Sequence, residues 1–324
     1  QRYSAFPWSG DIRRSWQGLQ AQIPTLLCAG MSGVAYMGSD VGGFAASGTD
    51  AALYLRWVQF AAFSPMLRTH SPLLPEPYNE CYADVLPQVS RYIHMRYRYL
   101  PYNYTLAYEN ATAGTPLARP VNFYGDATGL LDNCIDEYLW GKDLLVAPVM
   151  TTDAARNITF PDGEWVDMNN PKNSYSAGTT VSYSAPLEVL PLFARKGSFI
   201  TTLTQTEMTS TADADMSQLS VIYFPSGNDE AAALIFDDDH TSTTSPADGK
   251  YSLTTLRGYA TSTQEIIEYA TAGDGYPDMP QTRTFTFVIP CYKSAVTSVD
   301  VDNMLLDRYT TSAALEHAAT GYFC

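Results

Sequence analysis

The periodicity of the sequence changes near residue 115, and that change limits the folds open to it. Before it, helical and strand patterns alternate. Ser15 to Cys28 sets Trp16, Leu19, Ile23 and Leu26 at three- and four-residue steps, which predicts an amphipathic helix. Val34 to Gly38 reads as a short buried strand ending at Asp40. Asp50 is placed to cap a helix reaching Phe63, with Leu53, Trp57, Phe60 and Ala61 on one face. Met66 to Arg68 reads as another short strand, ending at His70, and a long helix is expected from about Asp84 to Asn110, with Leu86, Val89, Ile93, Leu100 and Tyr104 inward. Such alternation implies a parallel sheet, and polar clusters at strand C-terminal ends are what a (β/α)8 barrel displays.

Beyond Thr115 the helical period gives way to short β-rich runs separated by turns such as Pro161-Asp162-Gly163. Leu144 to Val149, Ile158 to Phe160, Trp165-Val166 and Val181 to Tyr183 make one block. Leu219 to Phe224, Ala233 to Phe236 and Thr284 to Ile289 make a second, and the polar, threonine-rich Thr201 to Ser217 reads as a linker between them. The expected division is residues 1–116, 117–203 and 204–324.

Charge and composition narrow the partners. A net charge of −15 and a pI near 4.5 argue against nucleic acid, which needs clustered Lys and Arg. Neutral sugars make no such demand, and 13% aromatic residues suit stacking on sugar faces. Residues 15–39 carry no charge, but Gln17, Gln20, Gln22, Pro24, Gly30 and Gly33 argue against a membrane span, because lipid would strip the amides of water. The five cysteines are scattered, with no Cys-x-x-Cys pair for zinc or redox chemistry, and Cys28 reads as a free buried thiol. Asn103-Tyr-Thr, Asn110-Ala-Thr and Asn157-Ile-Thr match the glycosylation sequon at a frequency close to chance. Low lysine with abundant Thr, Ser, Asn and Tyr leans towards an exported bacterial protein.

Three clusters carry the functional signal: Phe6-Pro7-Trp8-Ser9-Gly10-Asp11, Asp40-Val41-Gly42-Gly43-Phe44, and Arg68-Thr69-His70. Singly, each has a structural explanation: a helix cap for Asp11, a turn for Asp40 with its glycines, a hydrogen-bonded histidine for His70. Jointly, their order and spacing resemble glycoside hydrolase family 31, the α-glucosidases and α-xylosidases. That family has Trp-x-Gly-Asp, Asp-x-Gly-Gly-Phe and Arg-x-His about thirty residues apart; here Asp11 and Asp40 are 29 apart, and Asp40 and His70 are 30 apart. The resemblance covers residues 1 to about 240 and fades beyond.

The resemblance implies the last part of a (β/α)8 barrel followed by two C-terminal β-sandwich domains, in a chain that opens midway through its catalytic domain. It implies a retaining α-glycoside hydrolase, foremost an α-glucosidase, in which Asp11 is the general acid/base. Phe6 and Trp8 are expected to supply apolar surroundings that raise the Asp11 pKa. Trp8 and Phe44 would wall the terminal sugar, Asp40, Arg68 and His70 would complete the polar lining, and Glu76-Pro-Tyr78 would shape the rim. No cofactor or metal is implied; the partners are an oligosaccharide or small α-glycoside and the missing N-terminal half of the barrel. The nucleophile belongs to an upstream Trp-x-Asp-Met-Asn segment. Trp165-Val166-Asp167-Met168-Asn169 mimics that segment, but it follows the acid and sits in a Gly-x-Trp-x-Asp hairpin of the first β-domain, which Gly163 to Asp167 satisfies. Asp237-Asp238-Asp239-His240 lacks the spacing of a calcium loop and reads as an acidic loop. Xylose, galactose or sulfoquinovose as glycone, lyase or transglycosylase chemistry, and a non-catalytic carbohydrate-binding or assembly fragment remain as alternatives.

Overall fold

A computed structural model describes residues 6–45, 48–72, 76–126, 128–227, 229–290 and 296–309, with residues 312, 315, 318 and 320–323 beyond them. The helix expected over Ser15 to Cys28 is two helices, α1 (Trp16–Gln20) and α2 (Gln22–Met31). Pro24 explains the break: it has no N–H to give the Gln20 carbonyl, so it is tolerated only in the first turn of a new helix. The Ser15 hydroxyl caps α1, accepting from the Gly18 N–H at 3.0 Å. Helix α2 buries Ile23, Leu26 and Leu27 and leaves Cys28 exposed, so the buried thiol expected there is not found.

The first strand is shorter and later than expected, β1 (Gly38–Asp40), and it pairs in parallel with β2 (Met66–Arg68). Between them, α3 (Ala51–Ala62) is capped by Asp50, whose Oδ1 accepts from the Leu53 N–H at 2.9 Å. The long helix predicted to Asn110 also divides, into α4 (Leu86–Arg98) and α5 (Leu100–Ala113), with Pro101 in the first turn of α5. Leu19, Ile23, Leu53, Leu55, Trp57, Val89 and Tyr92 share one core with Tyr138, Trp140, Leu144 and Val146, which joins the helical part to the first β-rich block. Buried polar contacts reinforce that junction. The Arg56 guanidinium donates to the carbonyls of Ala185 at 2.7 Å and Val189 at 2.9 Å, and the Tyr92 hydroxyl donates to the Glu188 carbonyl at 2.8 Å.

The first β-rich block contains β3 (Ala118–Pro120), β4 (Tyr138–Trp140), β5 (Leu144–Val146), β6 (Ala155–Thr159), β7 (Glu164–Asp167), β8 (Ser174–Ser176), β9 (Thr180–Ser184) and β10 (Leu192–Arg195). Six of these form an antiparallel sheet in the order β3-β4-β5-β10-β7-β8, and β6 pairs separately with β9. Ile158, Phe160, Trp165 and Phe193 lie in the apolar core of the block. The second block is built from β11 (Ser198–Leu203), β12 (Gln218–Phe224), β13 (Ala231–Asp237), β14 (Ser252–Ala260), β15 (Glu265–Ala272) and β16 (Thr284–Val288). They form two three-stranded sheets, β11-β12-β16 and β13-β14-β15, over a core of Phe199, Leu219, Val221, Tyr223, Ile235 and Leu256. Thr201 to Leu203 therefore belong to a buried strand, and the polar linker begins only at Thr204.

Helix α5 anchors this second block. Tyr108 stacks on Phe236 with ring centroids 4.2 Å apart, the Phe236 N–H donates to the Thr105 hydroxyl at 3.1 Å, and the Tyr104 hydroxyl donates to Asp238 Oδ1 at 2.5 Å. The acidic loop is tied up internally: the buried Asp237 accepts from Arg283 and Tyr276 and pairs with His240 Nε2 at 2.9 Å. Residues 1–290 make one unit and 291–324 another. In the latter, β17 (Asp300–Val301) pairs with β18 (Met304–Leu305), and β19 (Arg308–Tyr309) with β20 (Tyr322–Phe323). Cys291 and Cys324 lie outside the described residues. Among those described, no helix is long and apolar enough to cross a membrane.

Candidate active site

The three sequence clusters meet on one sheet edge. Residues 7–9 run parallel to the start of β1: the Ser9 N–H donates to the Gly38 carbonyl at 3.0 Å, and the Gly38 N–H to the Pro7 carbonyl at 3.1 Å. Strand β2 flanks β1 on the other side, and the Val41 N–H donates to the Arg68 carbonyl at 2.8 Å. Three parallel segments thus lie side by side, with Asp11, Asp40 and His70 at or just beyond their C-terminal ends. Gly10 makes the first turn possible with φ of +80°, and Gly42 and Gly43 make the second with φ of +89° and +86°. The Phe44 and Ala45 N–H groups then donate to the Ile12 carbonyl at 2.9 and 3.1 Å, pinning the Phe44 loop to the Asp11 segment.

Asp11 is exposed, as are Phe6 (58%) and Trp8 (46%). Phe6 meets Tyr36 edge-on at 5.9 Å, and Trp8 carries the Arg68 guanidinium 5.6 Å from its ring centroid. The apolar enclosure expected around Asp11 is therefore not formed by these two rings.

Asp40 is fully buried, and its Oδ1 accepts from Arg68 Nε at 3.1 Å and Nη2 at 2.5 Å. Its Oδ2 is buried with no partner among the described residues. Asp40 thus acts on the edge through Arg68, whose side chain is 41% exposed and sits between the buried carboxylate and the Trp8 ring. Below it, Trp57 Nε1 donates to the Ser39 hydroxyl at 3.0 Å and fixes β1 on α3. The exposed His70 ring lies 5.5 Å from that of Phe44. Tyr78, from the expected rim, is exposed as well. The arrangement offers an accessible carboxylate, a held cation, an imidazole and two aromatic rings, a set suited to a neutral polyhydroxylated ligand.

One residue at this edge escaped the sequence reading. The Arg14 guanidinium donates to the Gly48 carbonyl and, at 3.3 Å, to the Ser71 hydroxyl, and Ser71 donates to the Phe44 carbonyl at 2.8 Å. Only the adjacency of Arg14 to Asp11 pointed to it, because its partners lie 34 and 57 residues away.

Elsewhere, Cys134, Asp136 and Glu137 approach one another closely enough to share an ion. Arg156 already pairs with Asp136 at 3.2 Å and Glu137 at 3.4 Å, so the charge there is met by a guanidinium. Burial pushes Glu137 up to about 7, against the pull of Arg156, and the Cys134 thiol up to about 12.

Asp167, in the segment that mimics a nucleophile, is 1% exposed and faces inward from β7. It accepts from the Asn169 N–H at 2.8 Å and from the Tyr183 hydroxyl at 3.1 and 2.9 Å. These hydrogen bonds all stay within its own β-rich block, in keeping with the hairpin reading.

Residues 1–106 match the model of the glycosyl hydrolases family 31 TIM-barrel domain, and residues 114–200 that of the glycosyl hydrolase family 31 C-terminal domain. Alpha-glucosidase 2 of Bacillus thermoamyloliquefaciens is 36% identical over 246 residues, covering 74% of this chain and 30% of that protein. An alpha-xylosidase of Saccharolobus solfataricus is 32% identical over 210 residues, covering 62% of this chain and 28% of that protein. A Flavobacterium johnsoniae family 31 dextranase, solved in complex with isomaltotriose, is 27% identical with a TM-score of 0.88, covering 96% of this chain and 39% of that one. The chain therefore spans less than a third of the length of these two curated relatives.

Proposed function

The chain belongs to glycoside hydrolase family 31, and on that premise we propose that it is part of a retaining α-glycoside hydrolase releasing terminal α-linked glucose. It contributes the last strands of a (β/α)8 barrel over residues 1–116 and two β-sandwich domains beyond them, the first ending before β11, which pairs with β12 and so belongs to the second. The observation that carries this reading is the shared strand edge, on which the segments bearing Asp11, Asp40 and His70 run side by side, with Arg68 over Trp8 and Phe44 beside His70.

In the first step Asp11 gives its proton to the glycosidic oxygen while a second carboxylate, on polypeptide outside this chain, attacks the anomeric carbon and the aglycone leaves. In the second, Asp11 takes a proton from water, whose oxygen displaces the enzyme carboxylate and releases the sugar. Retention requires the two carboxyl groups to stand about 5 Å apart. Trp8 and Phe44 wall the terminal sugar, His70 bonds a ring hydroxyl, and the buried Asp40 holds Arg68 in place. The alpha-xylosidase relative supports xylose as a second glycone for the same machinery.

The experiment is covalent trapping of the longer protein with a mechanism-based fluoroglycoside, followed by peptide mapping. The label is expected on a carboxylate outside residues 1–324. A label on any carboxylate within them would overturn the two-part site.

A further inference from the structure

We propose that Arg14 is a positioning residue for the sugar pocket, coupling the segment that bears Asp11 to the two loops that carry Phe44 and His70. This rests on the reading of the shared strand edge as the glycone site. Two separate loops converge on Arg14, one of them through two residues. Its backbone N–H donates to the Ala45 carbonyl at 2.9 Å, one guanidinium nitrogen donates to the Gly48 carbonyl, and another donates to the Ser71 hydroxyl at 3.3 Å. Ser71 passes the connection on, donating to the Phe44 carbonyl at 2.8 Å. Ser71 immediately follows Thr69-His70, so the hydroxyl that accepts the Arg14 hydrogen bond and donates to the Phe44 carbonyl also ties down the exit of the His70 loop.

The backbone at this point is shaped for such a contact. A Cβ on Gly43 would lie 2.6 Å from the Arg14 Cα, so the Phe44 loop crosses the Arg14 segment at a distance that only glycine allows. The described contacts of Phe44, Ala45 and Gly48 with neighbouring segments include the Ile12 carbonyl, the Arg14 backbone and guanidinium, Ser71, and the 5.5 Å ring contact of Phe44 with His70. Arginine suits the position because its planar fork serves two acceptors in fixed directions, which a lysine ammonium on a flexible stem does not reproduce. Arg14 does not touch the reacting atoms in this scheme. It sets the spacing between Phe44 and His70, and so the fit of the terminal sugar, more than the proton transfer at Asp11.

The test uses the longer protein, with Arg14→Met, Arg14→Lys, Ser71→Ala, the double variant Arg14→Met/Ser71→Ala, and Asp11→Asn as control. For an aryl α-glucoside, Arg14→Met is expected to raise KM, and the inhibition constant of glucose as competitor, about tenfold, with kcat within about threefold; tenfold corresponds to about 1.4 kcal/mol. Arg14→Lys should recover little, Ser71→Ala should move the same constants less, and the double variant should fall short of the product of the two singles, because both cut one chain of contacts. If Arg14→Met fails to fold, Arg14→Lys and Ser71→Ala carry the same comparison. KM and glucose inhibition within twofold of the parent for both positions, with Asp11→Asn still strongly impaired, would overturn the proposal alone. Full activity of Asp11→Asn would overturn the site on which it rests.

Discussion

Replacing Asp167 by alanine separates a fold residue from a nucleophile. The carboxylate is buried and accepts one N–H from Asn169 and the single O–H of Tyr183, shared between its two oxygens. A hydrogen bond to a charged group contributes about 1.5–3 kcal/mol. Tyr183 is only half-buried and can turn its hydroxyl to water, so that loss is partly recovered, while the Asn169 N–H at the end of β7 loses its anchor. Relief of the buried charge offsets part of the remainder, leaving a cost of about 2–3 kcal/mol. At about 1.5 °C per kcal/mol for a chain of this size, Tm should fall by about 3–5 °C. Asp167→Asn keeps an acceptor for Asn169 and should cost about half as much. The assay is differential scanning calorimetry of this chain alongside kcat of the longer protein on an aryl α-glucoside at a temperature where each variant is folded. Expected is a lower Tm with kcat within a few-fold. An unchanged Tm with kcat down a hundredfold or more would refute the hairpin assignment.

A pH effect on stability should come from Asp143, buried where burial raises its carboxyl to about 6 against the opposing pull of Lys142 and Arg195. Its folded-state pKa lies above the unfolded value, so the folded state holds a proton that the unfolded state has released, and stability is lost as pH rises from about 4 to about 6. Thermal melts of Asp143→Asn across that range should decline less than those of the parent; parallel curves would exclude Asp143 as the source. Gly43→Ala forces a side chain onto φ of +86° and against the Arg14 backbone, so it should lower Tm and raise KM together, and a neutral outcome would mean that the crossing relaxes freely.

Local chemistry was legible in the sequence wherever one residue decides one feature. Asp50 caps α3 and Met66 to Arg68 form a strand, as the pattern indicated. The runs at Leu219 and Ala233 lengthened into β12 and β13 without changing type. Misreadings arose where periodicity overrode a proline: Pro24 and Pro101 each divided a run that looked continuously helical. Cys28 followed apolar neighbours in the sequence but not in space, since a helix turns each successive residue by about 100°. Thr201 to Leu203 are polar enough to pass for linker, yet their hydrogen bonds to β12 bury them. At the candidate site, the alternating pattern placed Asp40 and His70 at the ends of parallel strands, and those strands are adjacent. Two features had almost no sequence signal. The burial of Asp40 beneath Arg68 and the reach of Arg14 to Gly48 and Ser71 depend on which loops come together, and residue type does not encode that.

The most direct test of the proposed role of Asp11 is the leaving-group dependence of Asp11→Asn in the longer protein. A general acid is worth about 10²- to 10⁴-fold, and most where the leaving group is a poor one. Turnover of disaccharides should therefore fall by about that factor, while the glycosylation step on activated aryl glycosides should fall far less, with the fold unchanged by circular dichroism. Equal and small losses on both substrate classes would remove Asp11 from the chemistry.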